Sequence, residues 1–395
     1  MPQAQWIWLS HVSDYESFEG GEKDADSMAE MIPTTNEIRW VEALESLMAG
    51  TGEAEYQIAS NKLDTPISPT NVSVRRQCSY GSNTVQPVRV NDVLLFVDFV
   101  GRKVRELVYQ AYPVDKYVAP DLTSLSEHIT LSGITTIAHQ KNPDSILWAT
   151  LADGSLLTMT YERDQKVVAW SRQPIDGFVT SVCVCPHEDE DRIYISVVRV
   201  IGGELVYYIE RFMPRVWTAL ADAFYVDCGK TCEFDTPTSV ITGLDHLEGK
   251  TVLILGDGVI QTPKIVTGGA ITLDTAVLKA QIGLPFRFKL VPMRPDIQTQ
   301  QGTTHGSLVK VAEMGISFLN TRCAKYGVSD DKLFSIDYDN IKWTNTGQID
   351  GLFSGDVVVS VDGGFTTENN LIISGDSPLP CTIRCLVPRI EKTGR

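Results

Sequence analysis

A chain of 395 residues with 43% hydrophobic and 21% charged residues can bury a large core and fill two or three domains, which excludes wholesale disorder. Its 50 acidic residues against 34 basic ones leave a net charge of −16, and no Lys/Arg cluster stands out, so binding to a nucleic-acid backbone is disfavoured. No apolar run approaches the roughly 18–20 residues that span a bilayer and the start lacks a basic segment followed by an apolar one, so neither membrane insertion nor classical secretion is expected; eight cysteines in this length fit a reducing cytoplasm.

In chain order, QWIWLS alternates as a short strand and leads through the acidic loop SFEGGEKDADS to TTNEIRWVEALESLMAGT. There Ile38, Val41, Leu44 and Leu47 recur at helical spacing, Thr34 and Glu37 form a capping box, and Gly50 marks a stop, so the spacing predicts a helix over 34–51. From Gly52 to about Arg215 the pattern turns to strands, with a connector at LDTPISPTN and a short helix expected at APDLTSLSEHI, where Asp121 starts it.

Three stretches share one shape: LLFVDFVGRKVRELVY from Leu94, ILWATLADGSLLTMTY from Ile146 and IYISVVRVIGGELVYYIER from Ile193. Each reads as a β-hairpin, turning at Gly101-Arg102, Asp153-Gly154 and Gly202-Gly203. A repeat of about 40–50 residues is what a four-stranded propeller blade requires. A fourth β unit lies at KTVLILGDGVIQTPKIVTGGAITL, turning at Gly256-Asp257-Gly258 and at Gly268-Gly269. After Gly283, the Asp362-Gly363-Gly364 turn and the alternation in VVVSVD favour an antiparallel sandwich or small barrel. The expected architecture is therefore mainly β, with a strand-and-helix segment over 1–50, complete or partial β-propeller blades over 51–283, and a C-terminal β domain over 284–395.

Residues that could carry chemistry are few. Cys183 and Cys185 alternate along a strand, and Cys228/Cys232 and Cys381/Cys385 form wider pairs; without a His at ligand spacing, buried thiols are favoured over zinc ligands. GLDHLEGKT (Gly243–Thr251) resembles a phosphate loop but has five residues between its glycines and precedes a strand, so it reads as a turn. HEDEDR (His187–Arg192) reads as a solvated loop, and Asp24 with Asp26 lacks the ligand series of a calcium loop. His11, His128, His139, His187, His246 and His305 show no triad or metal spacing. Trp148 and Trp170 could stack on a sugar but fit packing between sheets better.

Read together, WLSHVSDYESF (Trp8, Ser10, Asp14, Tyr15, Phe18), DADS at Asp24, YGS at Tyr80, GRKVREL at Gly101, DLTSLSEHI at Asp121, Gln140 with Pro143, ILWATLADGSLLTMTYERDQKVVAW from Ile146, YYIER at Tyr207 and GLDHLEGKTVLILGDG from Gly243 make the chain similar to the tail nozzle (tail tubular protein B-type) proteins of short-tailed, double-stranded DNA phages. The resemblance runs in order from about Trp6 to about Pro285 and more weakly beyond. It implies a propeller-based virion subunit with no catalytic, cofactor or metal residues to carry over. Such subunits assemble in the bacterial host cytoplasm as a ring of about six copies below the portal and adaptor, around the channel through which DNA passes without specific binding. The acidic balance would then repel the passing duplex. Family members usually carry several hundred residues before the point where this chain begins, so either strands from elsewhere complete the propeller or the variant is open. A receptor- or glycan-binding tail protein, with or without glycosidase activity, and a monomeric propeller scaffold are the other classes the sequence leaves open.

Overall fold

The structure is a computed structural model that describes residues 4–62, 65–113, 115–296, 298–299, 302–338, 351–368 and 371–392. The protein is mainly β, built from several antiparallel sheets, with three short 3₁₀ turns (Glu127–Ile129, Leu220–Asp222, Asp245–Leu247) among the described residues. The chain divides into two compact units, one of residues 1–199 with 207–212 and the other of 200–206 with 213–395.

The first unit opens on a hairpin, Trp6–Leu9 with Met28–Met31, followed by sheets that each pair strands in sequence order. Sheet one holds Ile38–Ala43, Leu47–Thr51, Glu55–Ser60 and Val72–Cys78; sheet two Val88–Val90, Val93–Val97, Val104–Gln110 and Lys116–Val118. Sheet three holds Ile134–Gln140, Ile146–Leu151, Leu156–Glu162 and Val167–Gln173, and sheet four Phe178–Cys185, Arg192–Ile201 and Glu204–Arg211, of which only the hairpin tip over 200–206 is assigned to the second unit. All three expected hairpin turns are present, and each uses glycine at positive φ: Gly101 at 83°, Gly154 at 82°, Gly202 and Gly203 at 59° and 89°. A residue without Cβ adopts this conformation at no steric cost.

The sheets pack face to face in sequence order, because apolar residues leave both sides of the inner strands. Ile7 and Ile32 of the hairpin segment meet Tyr56 and Ile58 of sheet one. From its other face, Trp40 and Met48 meet Leu94, Phe96 and Leu107 of sheet two. Leu95, Val97 and Val104 of sheet two meet Leu147, Leu157 and Met159 of sheet three. Trp148 and Leu156 of sheet three then meet Val179, Ile193, Ile195 and Val197 of sheet four. Burial of every residue of Val93–Val97 follows from this two-sided cover.

The same cover bears on one error of the sequence reading. Residues 34–51 contain the first two strands of sheet one, Ile38–Ala43 paired with Leu47–Thr51, and no helix. Leu47–Thr51 is covered on both faces and loses the alternation of two, and a bulge between Ile38 and Trp40 shifts the alternation of the edge strand beside it, which leaves apolar spacings that imitate a helix. Gly50 is no helix stop; it lies across from Trp40, whose ring comes within 2.1 Å of where a Cβ would stand. At APDLTSLSEHI a 3₁₀ turn over Glu127–Ile129 replaces the expected helix, and Asp121 accepts from the backbone N–H (2.8 Å) and hydroxyl (2.6 Å) of Thr123. In the connector LDTPISPTN, Leu63 and Asp64 lie outside the described residues.

In the second unit, the fourth β unit falls in a sheet ordered Asp227–Thr242, Ala270–Leu284, Thr251–Gly256, Val259–Ile265, with its own core of Ile241, Val252, Ile254, Ile271 and Ile282. A further pair of antiparallel sheets shares one core. Met314, Ile316 and Phe318 of Val309–Thr321 and Val357 and Val359 of Phe353–Ser360 pack with Ile373 of Ile372–Gly375. Among the described residues no sheet closes into a barrel, so the barrel form of the C-terminal expectation is not met. Phe353–Ser360, which precedes Asp362-Gly363-Gly364, pairs with Val309–Thr321, and the next described strand, Ile372–Gly375, belongs to the other sheet.

Candidate functional surfaces

The motifs that carry the resemblance are clasps between neighbouring segments. Asp98, buried at the turn before Gly101, accepts from the backbone N–H groups of Gly101, Arg102 and Lys103, each at 3.1 Å, and so fixes the GRK turn. Lys103 reaches Asp121 at 3.0 Å and Glu127 at 2.5 Å, tying GRKVREL to DLTSLSEHI, and the Trp170 indole donates to Leu122 O at 2.9 Å. Arg105 lays its guanidinium 3.5 Å over the Tyr80 ring of YGS. Gln140 accepts from the Trp148 indole at 3.0 Å and donates to Asn142 O at 3.0 Å. In YYIER, Glu210 holds the buried Arg199 through two bonds of 2.7 Å.

A second group of polar contacts is buried. Glu55, fully buried, accepts from the Cys78 thiol and the Ser82 hydroxyl, both at 3.0 Å. Burial pushes its carboxyl above the ordinary range, only partly offset by these donors. Burial, with the Glu55 charge beside it, pushes the Cys78 thiol up as well. His139 donates to or accepts from Ser145 at 3.1 Å, and burial, aided by Lys141, lowers it to about 4.

The remaining sequence candidates fall in separate places. Trp148 is buried and Trp170 packs against the core between sheets two and three, so neither presents a ring to a ligand. In HEDEDR the expectation of a solvated loop fails at one residue: Asp191 is buried and accepts from the backbone N–H of Lys141 (2.6 Å) and Asn142 (3.0 Å). Asp26 accepts from Lys23 N and stands 3.9 Å from His11, while Asp24 is exposed. In GLDHLEGKT, Glu248 accepts from the N–H groups of Gly268 and Gly269 at 3.0 and 2.7 Å, so this segment is a turn clasp. Cys232 is buried and Cys228, Cys78 and Cys381 are half-buried; burial raises the Cys381 thiol to about 12. Cys183 and Cys185 are exposed, against the expectation of buried thiols. Among the described residues no group of three His, Cys, Asp or Glu side chains could hold a metal ion.

A cavity of about 330 Å³ lies between Gly256–Asp257, Gln261–Thr262 and Asp274–Val277. Both carboxylates at it are engaged, Asp257 with the backbone N–H of Leu278 and Lys279 and Asp274 with Lys264.

Among the described residues of the first unit, large apolar side chains stay exposed on the two terminal faces of the sheet array. On the opening hairpin, Ile7 turns inward while Trp6, paired with Met31, and Trp8 face outward; Trp8 is 45% exposed. The adjoining loop adds exposed Tyr15 and Phe18 among exposed Asp14, Glu16, Glu19, Glu22 and Asp24. On sheet four, Tyr208 enters the core and Tyr207 and Ile209 point away from it, 73% and 82% exposed. These faces were invisible in the sequence, where Trp6, Trp8, Tyr207 and Ile209 look like any strand residues. No protein-family model and no curated protein matches the chain.

Proposed function

We propose that this chain is a structural subunit of a phage tail nozzle, in which the sheets of the first unit serve as blades of a partial β-propeller and copies assemble symmetrically around a DNA channel. The observation that carries the reading is the open array: successive sheets bury both faces against their sequence neighbours, while the faces bearing Trp6 and Trp8 and bearing Tyr207 and Ile209 stay apolar and uncovered. Large exposed apolar patches mark interaction surfaces, and a subunit whose two patches differ assembles head to tail into rings or filaments. The ordered resemblance to nozzle proteins favours the ring, and the net charge of −16 suits a wall along which DNA slides without adsorbing. The role is one of assembly, with portal, adaptor and tail proteins as neighbours, in the virion.

The test is the mass of the purified protein in solution, by light scattering or mass photometry, with imaging of any assembly. A ring of about six copies with a hole wide enough for a duplex supports the reading. A monomer that stays monomeric in the presence of the tail proteins above and below it would overturn it.

A second reading is a glycan-binding tail protein. Exposed Trp6, Trp8, Tyr15 and Phe18 beside carboxylates are the residue types that stack on sugar rings and bond their hydroxyls. Retention on a glycan array that Trp8→Ala abolishes would favour it.

A further inference from the structure

Cys183 and Cys185 stand on the outward face of sheet four. Val182 and Val184 beside and between them turn into the core, so alternation along Phe178–Cys185 sends both thiols to solvent on the same side. The other described cysteines are buried or half-buried except Cys385, which has no exposed thiol beside it in its strand. Across the ladder, Cys183 pairs with Tyr194 and Cys185 with Arg192.

The spacing decides what such a pair can do. Residues i and i+2 of an extended strand lie about 6.7 Å apart. A disulfide needs its Cβ atoms at about 3.5–4.5 Å, so closing one here would require breaking the strand geometry. A bridging metal needs less: two metal–sulfur bonds of about 2.3 Å span up to about 4.6 Å between sulfurs, which the two side chains reach by leaning together. Thiolates select soft cations, Cu(I) above all. Binding would follow 2 RSH + Cu⁺ → [Cu(SR)₂]⁻ + 2 H⁺, and the anion so formed has the Arg192 guanidinium on the neighbouring strand to balance it. The acidic Glu188, Asp189 and Glu190 that follow in the turn favour the approach of a cation.

We propose that Cys183 and Cys185 form a two-thiolate site for one soft cation of the Cu(I) class. The site shares the outward face of sheet four with Tyr207 and Ile209, so it is tested on the unassembled chain, where a failure to bind is distinct from a failure to assemble.

The experiment titrates Cu(I), supplied as its acetonitrile complex under argon, into the reduced full chain against bathocuproine disulfonate, with native mass spectrometry for stoichiometry. One Cu(I) per chain is expected, with Cys183→Ser and Cys185→Ser each weakening retention about 100-fold through loss of the chelate and Cys385→Ser leaving it unchanged. Both variants should keep the wild-type circular dichroism, since each replaced side chain is exposed. Equal retention by the Cys183→Ser/Cys185→Ser double variant, or none by the wild type, would overturn the proposal. So would ready conversion of the pair to a disulfide by oxidised glutathione, which would show that the strand yields enough to bring the two Cβ atoms to disulfide distance.

Discussion

Glu55 carries the plainest consequence at the scale of single residues. Its folded carboxyl titrates above its unfolded value of about 4.5 because burial penalises the charge. A group shifted upward favours the folded state most while it is protonated, so its contribution is fully present below about 4.5 and is lost as pH rises through the raised value. Glu55→Gln should remove that loss. Denaturant unfolding of both proteins across pH 4 to 8 should show the variant gaining on the wild type as pH rises; a constant difference would mean that Glu55 is not neutralised by its surroundings. Gly50 makes a steric counterpart. A methyl group there would meet the buried Trp40 ring at 2.1 Å, and neither the paired backbone nor the indole has room to yield. Gly50→Ala should cost about 1–3 kcal/mol in the same assay. A neutral result would show that the indole can shift.

Within elements, the hairpins depend on acids that clasp their turns. Asp98 satisfies three backbone donors at once in a buried corner, so Asp98→Ala should cost about 1–3 kcal/mol, and Asp98→Asn, which keeps one acceptor, should cost less. Urea midpoints of the two variants would check the order. The turns themselves were legible in the sequence because Gly101, Gly154 and the Gly202-Gly203 pair answer a local demand for positive φ. What was not legible depends on distant partners. Glu55 meets Ser82 across 27 residues and Asp191 meets Lys141 across 50, and nothing near either residue announces the contact. The first strands of sheet one failed for a related reason: cover on both faces erased the alternation of Leu47–Thr51, and a bulge between Ile38 and Trp40 broke that of its neighbour. The alternation of Cys183 and Cys185 along one strand was legible, but which of its faces is buried is set by sheet three, not by the strand itself.

For the whole molecule, the proposed assembly must overcome the repulsion between copies that each carry −16. At about 0.15 M salt, charges more than about 8 Å apart are largely screened, and lower salt exposes the repulsion. The assembled fraction should therefore rise with ionic strength. Replacing an apolar face residue, as in Ile209→Lys, should shift the balance back to monomer at any salt. Mass photometry across 0.02 to 0.5 M salt would read both effects. An assembly that dissolves as salt is raised would be held by ion pairs instead, and would point away from the apolar faces.

The order of packing in the first unit also bears on how the chain reaches its fold. Every core there is shared by segments adjacent in sequence: the hairpin with sheet one, one with two, two with three, three with four. No layer waits for a partner made much later, so a chain emerging from the ribosome can lay down one sheet after another, each stabilising the one before. Such a unit is stable as a sum of neighbouring interfaces, and it grows from one end like a stack.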